Sequence, residues 1–225
     1  MTGHVDLWSL TRRPDPALFH RRGDPNDKRL GEVVSSDPAH YSSGDVVILG
    51  CPQDEGVRRN MGRLGSAEGP RAIRATLYRT TDFDPDRRLG IFDLGDVDTS
   101  GTLEAVHARL NSVAKEVLSS GKRLVVLGGG NDISHPDASA LHSVASPVLA
   151  FNIDTHFDVR ADSQMNSGTA YRRLLEEGVL EGEHFYEIAC QDFANSLVYE
   201  RYLKGKGVTL WPLEDLRRET PTAVL

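Results

Sequence analysis

The sequence predicts an α/β fold: a parallel sheet with helices packed on both of its faces. Two observations predict it. Short β-branched or apolar runs recur along the chain from residue 46 onward, and segments with helical periodicity lie between them. A chain that alternates in this way crosses between parallel strands through helices, which bury both faces of the sheet. With 225 residues, 39% of them hydrophobic and 26% charged, the chain is long enough for one sizeable core.

Residues 1–44 are polar, charged and broken by Pro14, Pro16 and Pro25. They are expected to form an N-terminal arm with little regular structure beyond a short helical turn near Leu18. The α/β domain is then residues 45–225. Its strands are expected at Val46–Leu49, Leu89–Phe92, Leu124–Leu127, Val148–Ile153, Phe185–Ala189 and Val208–Trp211. Pro70 suits the first turn of a helix running through Ile73 and Leu77. The clearest helix is Leu103–Ser119, where Leu103, Val106, Leu110, Val113 and Val117 form an apolar stripe closed by Gly121. Two more are expected at Ala170–Glu177 and Ala194–Leu203.

A net charge of −7 argues against nucleic-acid binding, which needs a basic face. Cys51 and Cys190 are the two cysteines, far apart and outside any CxxC context, so a disulfide framework is not expected and a reducing cytoplasm fits. No run approaches the ~18 apolar residues of a membrane span.

In parallel α/β sheets, sites gather at the carboxyl ends of the strands, so the loops after each run are where chemistry should lie. Phe151-Asn152-Ile153-Asp154-Thr155-His156-Phe157-Asp158 begins as a buried strand and ends with acid, histidine and acid at alternate positions. If the extended conformation continues, Asp154, His156 and Asp158 project from one face, and their mixed oxygen and nitrogen donors suit Mn, Fe or Zn. The alternative is a solvated strand end. Arg160, two residues on, places a cation on the same projected face. Gly128-Gly129-Gly130-Asn131 directly follows a strand and allows close backbone approach, either to a ligand or simply in a turn. The Gly-punctuated Asn60–Arg71 loop holds Arg63, which could clamp a carboxylate or form a surface ion pair. Asn166-Ser167-Gly168-Thr169 offers small polar side chains beside the acidic cluster, with Thr169 also suited to cap the next helix.

Taken together, these loops resemble the ureohydrolase superfamily of arginase, agmatinase and formimidoylglutamase. Gly50-Cys51-Pro52-Gln53-Asp54-Glu55-Gly56-Val57, the Asn60–Arg74 loop, Asp93-Leu94-Gly95-Asp96-Val97, the Gly128–Asn131 turn and Asp154–Asp158 occur in that superfamily's order. Asp54-Glu55-Gly56-Val57-Arg58-Arg59-Asn60, Arg160, and Ser-Gly-Thr followed by Tyr171 and Arg172 are similar to the formimidoylglutamase branch. The resemblance implies a three-layer α-β-α arginase-type fold and a Mn²⁺-dependent hydrolase that attacks an amidine carbon with metal-bound hydroxide. It implies metal ligation by Asp154, His156 and Asp158, with Asp154 the bridging candidate and Asp158 also the catalytic candidate. It assigns Arg160, Asn166, Ser167 and Arg63 to a glutamate-like substrate end.

On that reading the reaction is N-formimidoyl-L-glutamate plus water to L-glutamate and formamide, in histidine breakdown. The partner is a small amidine, with no nucleic acid or membrane, and homo-oligomerisation is compatible. The sequence departs from the resemblance twice. Asn131 stands where a histidine ligand is expected, and a final Asp-x-Asp after a later strand has no counterpart. One Mn²⁺ or fewer, rather than two, is therefore expected. The last central strands are expected to be missing, which leaves the six strands as two flanks of three. The alternatives are a non-catalytic ureohydrolase-like binding protein or truncated pseudoenzyme, and an agmatinase- or arginase-like amidinohydrolase. Arg160 disfavours the latter, because it would repel a guanidinium substrate.

Overall fold

The computed structural model describes residues 5–84, 86 and 89–218, so the outermost residues of the arm and of the domain lie outside it. The arm contributes α1 (Leu7–Leu10) and β1 (Thr11–Arg12), followed by short 3₁₀ turns that include Pro16–Leu18. Then come β2 (Val46–Cys51), α2 (Glu55–Arg59), α3 (Gly69–Leu77), β3 (Ile91–Val97), α4 (Leu103–Ser119), β4 (Arg123–Gly128) and α5 (Ser134–Val144). The second half holds β5 (Ala150–Ile153), α6 (Ala170–Glu176), β6 (Phe185–Cys190), α7 (Leu197–Gly205), β7 (Thr209–Pro212) and α8 (Leu213–Arg218). Among the described residues, no helix is long and apolar enough to cross a membrane.

The strands form two hydrogen-bonded sheets, one ordered β1-β3-β2-β4 and the other β5-β6-β7. All pairings are parallel except β1 on β3, where the arm adds a short antiparallel edge. The six expected strands thus fall into two groups of three. Side-chain alternation along β2 explains how the first sheet is covered. Val47, Leu49 and Cys51 face the α4 stripe of Val106, Leu110, Val113 and Val117. Ile48 faces the other way, toward Tyr78, Leu127 and the arm residues Leu30 and Val34. The second core packs Leu174 and Leu175 of α6 and Leu203 of α7 against Phe185 and Val208. On the opposite face of that sheet, Phe151 stacks on Tyr186, which meets Trp211 edge-on. Phe151 and Ile153, on the edge strand β5, are exposed.

Two boundaries differ from expectation by more than two residues, for physical reasons. Strand β3 runs to Val97 rather than stopping at Phe92, because its acidic residues are neutralised in place. Arg74, 1% exposed, donates from Nε and Nη2 to the two oxygens of Asp93 at 2.8 and 2.9 Å, from Nη1 to Asp96 at 2.6 Å, and to the carbonyl of Gly95. The phenol of Tyr78 donates a short bond to Asp93, and burial with the Asp93 charge pushes its pKa up. Gly95 has φ 90°, and a Cβ there would sit 1.9 Å from the carbonyl oxygen of Arg12, so the edge contact with β1 demands glycine. The α7 helix starts at Leu197 rather than Ala194, since Ser196 caps it by accepting from the Val198 N–H.

The charges around Arg74 are buried and mutually satisfied, so removing one partner strands the others. Arg74→Met is expected to cost about 3–5 kcal/mol of stability. Urea unfolding checks this, and a loss under about 1 kcal/mol would show that Asp93 finds another partner.

Candidate functional site

A cavity of about 500 Å³ opens at the carboxyl ends of the strands. Four separated segments build it: α2 with Val57 and Asn60, the turn Gly129–Asn131, the loop Asp154–Arg160 with Ser167, and Ala194–Tyr199 after β6. The structure therefore brings Asp154, His156, Asp158, Arg160 and Ser167 together.

The acidic loop is not an extension of β5. Pairing with β6 ends at Ile153, the next residues bend, and Asp158 takes φ 48° in the left-handed region. The expected projection of all three side chains from one strand face is corrected accordingly. Asp154 turns back on its own loop, its Oδ1 accepting from the His156 N–H at 2.8 Å and lying 3.2 Å from His156 Nδ1. Asp158 is directed at Asn131, whose side-chain amide donates it a short bond, while Asn131 Oδ1 accepts from Ser134 at 2.8 Å. Burial, with the nearby Asp154 charge, raises the Asp158 pKa to about 6, against the lowering hydrogen bond from Asn131. Asn131 thus occupies the position expected of a ligand, but as a hydrogen-bond donor to the carboxylate.

The donors are chemically suited to a transition-metal ion, yet they do not converge. Among the described residues, no three His, Cys, Asp or Glu side chains form a metal-holding group.

Arg160 lies on the cavity wall with its side chain exposed. Its N–H donates to the carbonyl of Gly168, and a Cβ at Gly168 would come within 2.8 Å of Arg160 Cδ, so glycine there leaves room for the arginine stem. No carboxylate pairs with Arg160 among the described residues. Asp162, two residues on, accepts instead from Asn166 Nδ2 at 2.9 Å.

Two sequence candidates lie elsewhere. Arg63 is exposed on the loop after α2 and does not line the cavity. Asn166 is 3% exposed and spends its polar atoms inside its own loop, on Asp162, the Gln164 carbonyl and the Gly168 N–H. A four-residue polar turn satisfies itself before it can face a ligand. Ser167 does reach the cavity, where its Oγ accepts from Asn60 Nδ2 at 3.0 Å.

Sequence reasoning missed Asn60, Asn195, Ser196 and Tyr199 as wall residues. Asn195 is the informative omission: its Oδ1 accepts from the Phe157 N–H at 2.9 Å and its Nδ2 donates to the Thr155 carbonyl at 2.8 Å, clamping the acidic loop from across the cavity. The signal was present in the polar residues that follow β6, but nothing local ties them to residue 155. Cys51 and Cys190 are buried, and burial pushes their thiols up to about 12 and about 11, so neither is a poised nucleophile.

Known proteins share this arrangement of elements. A model of the arginase family matches residues 44–225. The chain is 37% identical over 172 residues to the formimidoylglutamase of Rhodococcus jostii, covering 73% of this chain and 53% of that protein. It is 35% identical over 185 residues to the formimidoylglutamase of Chromobacterium violaceum, covering 80% of this chain and 57% of that protein. The chain thus spans little more than half the length of these curated relatives. A crystal structure of Trypanosoma cruzi formiminoglutamase with Mn²⁺ superposes at TM-score 0.80 and 36% identity, over 88% of this chain and 69% of that one. With the family model covering strands β2 to β7 and every wall of the cavity, the chain belongs to the arginase family.

Proposed function

We propose that this chain carries the substrate-recognition part of a formimidoylglutamase-type hydrolase, whose reaction is N-formimidoyl-L-glutamate plus water to L-glutamate and formamide. One observation carries the reading. A single cavity holds the carboxylates of Asp154 and Asp158 together with the unpaired guanidinium of Arg160. A substrate with a cationic amidine head and an anionic tail is oriented by that polarity, head toward the acids and tail toward Arg160. The formimidoylglutamases among the relatives give the substrate class, and Ser167 and Asn60 supply neutral hydrogen-bonding groups beside it. A guanidino compound with no acidic end, such as agmatine, would meet Arg160 as a like charge, which disfavours the agmatinase-like alternative.

Mn²⁺ is the metal of this reading, with Asp154, His156 and Asp158 as its ligands in the chain. The Trypanosoma cruzi neighbour was solved with Mn²⁺. On this reading three ligands with open positions hold one ion at most, and binding without turnover is the alternative reading. Reducing cytoplasm and histidine breakdown remain the setting proposed from the sequence.

Four outcomes are expected. Titration with Mn²⁺ followed by EPR should give no more than one ion per chain, and two tight spin-coupled ions would contradict the ligand set. Calorimetry should show formimidoylglutamate binding more tightly than agmatine. Arg160→Ala should weaken formimidoylglutamate binding roughly ten- to a hundredfold, as for loss of a charge-assisted contact of about 1.5–3 kcal/mol, and should leave agmatine unweakened. An unchanged ratio of the two affinities would remove Arg160 from recognition. Asn131→His should tighten Mn²⁺ binding, because it replaces an amide that occupies Asp158 with an imidazole donor; equal affinity would mean that this turn does not face the ion.

A further inference from the structure

Glu187 is a carboxylic acid with no accessible surface, in the middle of strand β6. By strand alternation it shares a face with Phe185, which belongs to the second apolar core. Burial pushes its pKa up to about 9, so it is neutral at pH 7, and its Oε1 has no hydrogen-bond partner. A leucine or valine would fill such a position without the desolvation cost of a carboxyl group. What the acid contacts is therefore informative. Its Oε2 accepts from Asn152 Nδ2 at 2.8 Å, directly across the β5–β6 ladder, where residues 152 and 187 are register partners. The same Asn152 amide reaches the backbone carbonyl of His156 at 3.3 Å.

The chain of contacts runs from the core, through Asn152, to the centre of the acidic loop. Asn195 holds the opposite side of that loop at Thr155 and Phe157. The ends of the loop have further anchors: the Asp154 N–H donates to the Ile188 carbonyl, Gln191 bonds Thr155, and Phe157 and Val159 sit in the second core, while Asn152 is the side chain that reaches the His156 carbonyl between them.

We infer that Glu187 is a positioning residue for the Asp154–Asp158 loop, acting through Asn152 to fix the His156 carbonyl and so the placement of the three side chains around it. The inference rests on the reading of that loop as the functional site. Oriented amides beneath a site keep its side chains in one arrangement, and loss of such outer partners in metal sites costs about 10–100-fold in metal affinity.

Hydrogen exchange on the whole chain tests it without requiring turnover, comparing a peptide spanning residues 152–159 with one spanning α4. Glu187→Gln keeps the shape and the acceptor oxygen, and should leave both peptides as in the parent. Glu187→Leu removes the acceptor, and should speed exchange in 152–159 by about tenfold or more while α4 is unchanged; Mn²⁺ affinity should fall in Leu and be kept in Gln, by the same 10–100-fold scale. Unchanged exchange in 152–159 for Glu187→Leu would overturn the inference, and so would an equal rise in both peptides, which would mark Glu187 as a general stability residue. If Glu187→Leu does not fold, Asn152→Ala cuts the same relay from the loop side, and the same two peptides decide in the same way. Should the parent chain bind no formimidoylglutamate, the functional reading fails while the exchange result still decides the positioning role.

Discussion

The guanidinium of Arg74, shielded from water, is bound on every side by Asp93, Asp96 and the Gly95 carbonyl. A buried charge is tolerated only when its partners are in place, so this contact admits one arrangement of α3 against the carboxyl half of β3. Much else is then constrained. The chain between α2 and α3 must cross the carboxyl ends of the strands to reach Arg74, which carries α2, with Val57 and Asn60, over the cavity. Gly95 must let the arm approach, and β1 closes the edge of the sheet there. An acidic strand end that would otherwise fray becomes one of the best-determined parts of the fold.

Polar contacts join the segments around the cavity, while Phe157 and Val159 seat the acidic loop in the second core. Gln53 accepts the Glu55 N–H at 3.0 Å through Oε1 and donates to Asp132 at 2.6 Å through Nε2. Asp132, with no accessible surface, also meets His107 Nε2 of α4 at 2.7 Å. The start of α2, the glycine turn and α4 are joined in one buried network. On the other side the Ser167 N–H donates to the Gly56 carbonyl, and Arg59 reaches the Met165 carbonyl as well as Glu55 and Glu104. Networks of this kind are costly when incomplete and specific when satisfied, and they hold loops that carry few apolar side chains.

This construction explains the contrast between the two halves of the site. The acids and Arg160 line a common space, while the Asn131 amide hydrogen-bonds the Asp158 carboxylate. In the proposed function, recognition and ligation would draw on the same loop but on different geometry. A fixed cation on the wall needs only room, which Gly168 leaves, whereas a metal centre needs three donors aimed at one point.

From the sequence alone came the order of the six strands, the α4 stripe and the Asp154–Arg160 cluster, because each is a property of consecutive residues. Periods of two and of 3.6 follow from backbone geometry and can be read in a window of ten residues. The tertiary structure decided the rest. It placed Asn60 beside Ser167, 107 residues away, and Asn152 beside Glu187, 35 residues away. It turned Asn166 inward, left Arg63 on the surface, and bent the acidic loop at Asp158 out of the extended form its spacing suggested. Where a polar side chain points depends on which partner reaches it first, and for these residues the partner comes either from the same tight turn or from a strand far along the chain. No local pattern distinguishes those cases; only packing brings the competing donors and acceptors within 3 Å of one another.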